Sequence, residues 1–396
     1  MKKIIAILLS IVMLTALVAC GSKNSSGTKS ESTAKSKPII LGAIAPLTGD
    51  AAYLGEQLKN ICKYLEHEVN AEGGVNGRKI QFVFEDDQGT TAGAATAVSK
   101  LIDADHVNAI IGPLFTSCIL GMKDYVLNAQ IPTMIATSAN PDIFGKGHEG
   151  NYLFTLDSTP DLVAENEITY WVKDKGFKKI ALYGLQNDQT ITKNKYYNKL
   201  AKEMGAEIVY EATFNAGTDD HRSALTAIKA SGAEIVMFNC DTADLVKLCR
   251  QIKELGLDNI YISTDYQAIK EDVLEKIKNI VDGRLSYACT GLPINEEAQK
   301  RYDEFVKKYL EFTGKNNVDP FEAILYDCGR ILIKAMRESG ATTGPVLRDY
   351  LANNIVGYSG VTGLTTLTDN GLASRSSLIM EYKDGQTSIV RIAGAE

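Results

Sequence analysis

Residues 39–87 read IILGAIAPLTGDAAYLGEQLKNICKYLEHEVNAEGGVNGRKIQFVFEDD, and this stretch decides the fold. IILGAIAPL is an apolar run that ends in a proline loop, which suits a strand buried on both faces. LKNICKYLEHEV places Leu58, Ile61, Cys62, Leu65 and Val69 at helical spacing. Gly73-Gly74 then stops the helix. KIQFVFEDD returns to the alternation of a strand. Strand, helix and strand in that order need a right-handed crossover and build a parallel sheet covered by helices.

The same rhythm runs outward from this unit. VSKLID is part of a helix and VNAIIGP is the next strand; MKDYVLN, PTMIA and YLFTL continue the alternation. After Pro160 a second series begins, with DLVAENEITYWVKDKG, KKIALYGL, NKLAKEMG, AEIVYEA, ALTAIKASG, EIVMFN, ADLVKLCRQIKELG, NIYIST and VLEKIK. EEAQKRYDEFVKKYLEFTG and PFEAILYDCGRILIKAMRESG then read as two long helices, and VTGLTTL, SSLIMEY and TSIVRI as strands. The expected fold class is α/β, in two lobes with parallel sheets. Residues 38–157 and 288–358 are expected to form lobe 1, and residues 158–287 and 359–396 lobe 2. The chain visits the first lobe, then the second, returns for the long helices and crosses back near its end.

Upstream of this body, Lys2 and Lys3 precede the apolar run IIAILLSIVMLTAL, with LVAC and Gly21 behind it. A charged start, a short apolar core and small residues at a cleavage point make a secretory signal. The run falls short of the roughly 20 residues that a bilayer span needs. LVAC resembles the lipobox of bacterial lipoproteins. That likeness implies a signal peptide over residues 1–19 and a lipidated Cys20 on the outer face of the membrane. Residues 20–37 include SKNSSGTKSESTAKSK, which lacks apolar periodicity and is expected to be a disordered tether with a reach of about 20 to 25 Å.

Hydrophobic residues make up 45% of the chain and charged residues 23%, as in an ordinary globular protein. The net charge of −7 argues against nucleic acid, which needs a basic face. Removing the leader would make the chain more acidic still. Cys62, Cys118, Cys240, Cys249, Cys289 and Cys328 show no zinc-type spacing, and buried free thiols are the expected reading. His67, His106, His148 and His221 lie far apart in sequence, giving little support to a metal or histidine-based catalytic site. No Walker loop, G-x-S-x-G or H-E-x-x-H occurs. Gly145 to Gly150 reads GKGHEG, but it precedes a strand rather than opening a helix, so it lacks the context of a dinucleotide site. No cofactor, metal or catalytic residue is expected.

Ligands of open α/β sheets bind at the C-terminal ends of the strands. IAPLTGDAAYLGEQ follows the first strand, and IIGPLFTS follows a later one. Thr116 and Ser117 then start a helix, where hydroxyls and free N–H groups favour a carboxylate. Plain N-capping by Thr or Ser is the competing reading.

PLTGDAAYLGEQ, VNAEGGVNGRKIQFVFEDD, IIGPLFTS and SANPDI together resemble the bacterial leucine/isoleucine/valine-binding proteins, over nearly all of residues 38–396. These are substrate-binding subunits of ABC importers. The resemblance implies a type I periplasmic-binding-protein fold, two Rossmann-like lobes joined by a three-crossover hinge that shuts around a ligand. It also implies that Thr116 binds a ligand carboxylate, with Leu114 and Phe115 lining the pocket and Tyr53 and Leu54 covering it. The family's second-loop threonine is replaced by Ala139, which leaves backbone groups of Thr137, Ser138 and Ala139. Asp265 matches the acid that takes the ligand ammonium. Asp241 stands where a tyrosine is usual, and the usual tyrosine near Gln189 and Thr190 is not evident. Two acids facing the cleft would strain unless the ligand were cationic or one acid stayed protonated.

The implied function is capture of an amino acid, branched-chain or other aliphatic, and its delivery to an ABC permease and its ATPase. The membrane is reached through the lipid anchor only, and the expected state is a monomer without enzymatic activity. Alternatives are a ligand-sensing receptor subunit on the same fold, or a short amide or aromatic acid as ligand.

Overall fold

The computed structural model describes residues 37–269 and 271–394. The expected signal peptide, Cys20 and the tether up to residue 36 lie outside the described residues. In chain order come β1 (Ile39–Ala45), α1 (Ala52–Ala71), β2 (Ile80–Asp86), α2 (Thr91–Ser99), β3 (Ala109–Ile111), α3 (Thr116–Ala129), β4 (Thr133–Ile135) and β5 (Leu153–Thr155). A second series follows, with α4 (Pro160–Thr169), β6 (Lys179–Leu185), α5 (Asp188–Glu203), β7 (Glu207–Phe214), α6 (Arg222–Ser231), β8 (Ile235–Asn239), α7 (Thr242–Glu254), β9 (Tyr261–Asp265), α8 (Glu271–Val281) and β10 (Leu285–Cys289). The chain ends in α9 (Glu296–Thr313), α10 (Pro320–Ser339), α11 (Gly344–Asn354), β11 (Tyr358–Gly360), β12 (Gly363–Leu367), β13 (Ala373–Ser374), β14 (Ser377–Lys383) and β15 (Gln386–Ala393).

The opening βαβ unit forms as its residues dictate. Leu58, Ile61, Cys62, Leu65 and Val69 are buried along one face of α1. After the helix the chain turns through GGVNGR, where Val75 and Arg78 pair across a tight bridge. Gly74 lies at φ +79, and a Cβ there would stand 2.1 Å from Arg78 O, so only glycine fits the turn. β1 then pairs with β2 in parallel, Ile39 opposite Ile80.

Strands β1 to β5 form a parallel sheet in the order β2-β1-β3-β4-β5. On one face α1, α9, α10 and α11 build a core around Leu65, Tyr309, Leu325 and Leu351. On the other, α2 and α3 bring Val98, Ile119 and Met122 against Ile44 and Ile110. The second sheet has the order β15-β14-β10-β9-β8-β6-β7. β6 to β10 run parallel, and β14 and β15 are antiparallel additions at one edge. In each sheet the chain first builds to one side and then reverses, at β1/β3 and at β6/β8. A crevice opens at such reversals.

The chain passes between the two sheets three times, after β5, after β10 and before β14. Arg375 ties the last crossing to the first, with Nη1 donating to Leu156 O at 2.7 Å. Two differences from the sequence reading stand out. β10 belongs to the second sheet through its last residue, Cys289. Residues 359–374, expected in lobe 2 from 359 onward, stay with the first core through Val361, Leu367 and Ala373. Thr155 N donates to Gly371 O at 2.8 Å, laying that segment against β5. The alternation in GLTTL announces a strand but carries no information about which sheet it joins. β10 (LSYAC) and α11 (GPVLRDYLANN) were not anticipated; the first is short with a buried Ser286, and the second starts at Gly344-Pro345. The six described cysteines are buried and free.

Candidate functional site

The first half of the candidate site lies where β1, β3, β4 and β5 end. Gly112 follows β3 at φ +97, and a Cβ there would sit 2.1 Å from Ile44 O. The two strand ends can approach this closely because that position is glycine. Leu114 is buried, Phe115 is half-buried with extended backbone, and α3 starts at Thr116 and Ser117 without a side-chain cap. The first-turn N–H groups of a helix have no intrahelical acceptors, so this start suits an anion.

The neighbouring loops are knitted to it. Thr116 Oγ1 donates to Ser138 Oγ at 2.8 Å, and Thr137 Oγ1 donates to Leu114 O at 3.0 Å. Ser138 sits at φ +63, a conformation uncommon outside glycine and found often at functional sites. Ala139 is buried. Thr155 Oγ1 reaches Thr137 O at 3.2 Å.

Asp157, absent from the sequence reading, completes this half. Burial pushes its carboxyl up to about 6, against N–H donors from Ser158 and Ser138 and the pull of Arg375 and Lys193. Tyr53 is 53% exposed, while Leu54 packs on the first core. Both lie in the first turn of α1, and the loop leading into it is anchored by Asp86, which accepts from Leu47 N at 2.8 Å and Thr48 Oγ1 at 2.6 Å. Burial opposes the charge of Asp86, but Thr48 and the N–H groups of Gln88 and Leu47 hold its pKa below the ordinary value.

The second half lies where β8 and β9 end. Asp241 is exposed and caps α7, accepting from Asp244 N at 2.9 Å. Its carboxylate is thus engaged at the start of α7. Asp265 closes β9 and is mostly buried, at 14% side-chain exposure. Its Oδ1 receives a hydrogen bond from Lys193 Nζ, while its Oδ2 is buried without a hydrogen-bond partner among the described residues.

Lys193 comes from α5 and is 4% exposed. Its Nζ also lies 3.6 Å from Glu167 Oε2 of α4. Burial works against the lysine charge, yet Asp265 and Glu167 hold its pKa above the ordinary value. Glu167 is fully buried and accepts from Tyr197 Oη. Burial raises its carboxyl to about 7, with Lys193 opposing. Lys193 went unnoticed in the sequence, although a signal was there. It falls on the buried face of α5 with Thr190, Asn194, Tyr197 and Ala201. A lysine on such a face needs a partner acid.

The arrangement offers hydroxyls and helix-start N–H groups on one side and a half-satisfied carboxylate on the other. That pairing suits a small molecule with one negative and one positive end. Among the described residues no cluster of His, Cys, Asp and Glu is arranged to hold a metal ion.

The chain is similar to an amino acid binding protein of Pseudomonas aeruginosa, 30% identical over 234 residues, covering 57% of this chain and 60% of the relative. It is 26% identical to Leu/Ile/Val-binding protein homolog 3 of Brucella melitensis, over 58% of this chain and 64% of the relative. The chain thus spans less than two thirds of the length of each. In fold it resembles the branched-chain amino acid transporter substrate-binding protein LivJ of Streptococcus pneumoniae in complex with isoleucine. The TM-score is 0.76 at 21% identity, covering 90% of this chain and 99% of that one. It also resembles an R. palustris solute-binding protein in complex with benzoate, with a TM-score of 0.73 at 18% identity over 90% and 96% of the two chains. Residues 38–387 match the sequence profile of the periplasmic binding proteins, and the chain belongs to that family.

Proposed function

We propose that this protein is the extracytoplasmic substrate-binding component of an ABC importer, and that it captures an aliphatic amino acid between its two lobes. The observation that carries this reading is the pair of complementary chemistries at the strand ends, hydroxyls and N–H groups at the start of α3 in one lobe and the half-satisfied Asp265 at the end of β9 in the other. The ligand carboxylate rests on Thr116, the first-turn amides of α3 and the backbone of residues 137–139. The ammonium rests on Asp265 Oδ2, with Asp157 adding negative charge from the first lobe. Leu114, Phe115, Tyr53 and Leu54 surround the side chain, and Ser117 contributes its amide.

Contacts made to both lobes at once stabilise the shut form over the open one. The shut form then docks on a permease whose ATPase supplies energy, and the solute leaves unchanged. In this reading Cys20 carries the lipid that holds the protein at the outer face of the membrane, and the protein works as a monomer. Among the described residues no helix is long and apolar enough to cross a membrane.

The test is calorimetric titration of the purified protein with leucine, isoleucine, valine, alanine, short amides and benzoate. The expected outcome is saturable one-to-one binding of an aliphatic amino acid and no measurable heat from benzoate. Binding of benzoate or an amide with no amino acid response would replace the ligand class. Affinity purification of the liganded protein from membranes tests the alternative sensory role, in which a membrane kinase rather than a permease would co-purify.

A further inference from the structure

The third crossing between the lobes is the shortest. β13 ends at Ser374 and β14 begins at Ser377, so Arg375 and Ser376 alone carry the chain across. Ser374 pairs with Thr366 in the small sheet of β11, β12 and β13, and Ser377 pairs with Ala393 in the second sheet. Arg375 is 3% exposed, and its guanidinium reaches back into the first lobe. Nη1 donates to Leu156 O on the first crossing, and Nη2 donates to Thr362 Oγ1. Thr362 is in turn held by Asp327 of α10, which accepts from Thr362 N at 2.9 Å and from Val361 N at 3.0 Å. Burial opposes the guanidinium charge, and the acids acting on it are Asp327 and Asp157. A buried cation held in this way is costly to displace.

The main chain of Arg375 meets the other lobe. Gly394, just after β15, lies at φ +76, and a Cβ there would stand 2.6 Å from Arg375 O. Two residues on, Ser377 O accepts from Asn166 Nδ2 of α4 at 2.9 Å. The first crossing has an equally sharp border. Leu156 N donates to Ile135 O at 2.8 Å and Asp157 N to Thr155 Oγ1 at 3.0 Å, while α4 starts at Pro160. Ser158, Thr159 and Ser376 lie between these anchors. The Ser158 and Ser376 hydroxyls are buried without a hydrogen-bond partner among the described residues, so neither ties down the backbone that carries it.

Resting on the reading of two lobes that shut on a ligand, we propose that Arg375 is a positioning residue for capture: its guanidinium clamps the first and third crossings to the first lobe, so that the lobes swing about Ser158–Thr159 and Ser376. Arg375 acts through Leu156 and Thr362 rather than on the ligand. With the clamp in place, two short stretches of backbone absorb the motion, and the lobes have few relative arrangements. Without it the bend spreads into residues 156–157 and 374–375. More arrangements then open to the ligand-free protein, a smaller fraction of them can shut correctly, and the apparent affinity falls by that fraction.

The test measures inter-lobe distances by pulsed electron paramagnetic resonance and leucine affinity by calorimetry, for the wild-type sequence, R375M, R375K and T362V. Spin labels are carried by Lys146→Cys on the first lobe and Lys202→Cys on the second, both exposed positions, while the native described thiols are buried. Ligand-free R375M, folded by circular dichroism, is expected to show a broadened distance distribution and a Kd for leucine raised about tenfold. R375K keeps the charge but not the two-pronged reach, and is expected to fall between R375M and wild type. T362V is expected to shift both readings in the same direction by less. A folded R375M with the wild-type distribution would overturn the inference alone. If R375M fails to fold, T362V decides: a broadened distribution supports the inference and a wild-type one overturns it. Wild type that binds leucine at one unchanging inter-lobe distance would overturn lobe closure and the inference with it. Wild type that binds no leucine, beside a broadened R375M distribution, would overturn the amino-acid reading and support the inference.

Discussion

The two halves of the candidate site are built from different materials. Apart from the buried Asp157, the first-lobe half uses groups that do not titrate: helix-start amides, the Thr116 and Ser138 hydroxyls 2.8 Å apart, and a strand end that glycine allows close to its neighbour. The second-lobe half uses charged side chains, Lys193 between Asp265 and Glu167, drawn from elements far apart in sequence. Fixed backbone dipoles need no partner to stay in place. Buried charges do, and taking away one member leaves another uncompensated. The comparison teaches that the first half should tolerate substitution and the second should not.

Four outcomes would break or sharpen that contrast. Asp265→Asn carries the largest expected effect: it removes the negative charge that would hold the ammonium and unbalances Lys193, and the Kd for the identified amino acid should rise roughly 100-fold or more, read by calorimetry. An unchanged Kd would end the assignment of the ammonium to β9.

The next concerns pH. Glu167 has its folded pKa raised from 4.5 to about 7. A raised pKa means that its contribution to stability is fully present below about pH 4.5 and is lost as pH rises through about 7. Wild-type stability should therefore fall across this window, by up to about 3 kcal/mol from this group. Asp157, raised to about 6, adds to the fall in the same direction. Glu167→Gln should flatten the profile measured by denaturant unfolding, leaving the slope due to Asp157. A wild-type profile that rises over that range would contradict the sign.

Thr116→Val probes the dipole half. It deletes one hydroxyl contact while the α3 amides stay, so the Kd should rise only about tenfold. A loss as large as that of Asp265→Asn would erase the proposed difference between the halves. Asp241→Ala should have the smallest effect on binding. It removes the α7 cap, costing about 1 kcal/mol of stability, and leaves the Kd within about twofold of wild type. A large binding defect would return Asp241 to the cleft.

Much of the first half was legible along the chain. Thr116 and Ser117 follow a strand and begin a helix in one continuous segment, so local pattern alone places them at a strand end. Thr137, Ser138 and Ala139 follow a strand but begin no helix, and only the family resemblance pointed to them. Asp157 escaped notice because the segment after β5 reads as a connection, and its significance depends on the Ser138 amide coming to meet it. Lys193 and Glu167 are separated by 26 positions and lie on different helices. Nothing in the sequence of either helix shows that both end beside Asp265. The same limit explains residues 359–374, whose alternation is plain but whose partner, the edge of β5, is chosen by packing.

What the amino acids determined unaided is most of the order of strands and helices, the buried face of α1, the glycine turn after α1 and the hydroxyl-bearing start of α3. Each depends on neighbours within a few residues, through side-chain period, turn geometry or a helix terminus. Only the tertiary structure decided which sheet the late strands joined and that a lysine would share Asp265. Those outcomes depend on distances between segments far apart in the chain, where burial sets the cost of leaving any charge unpaired.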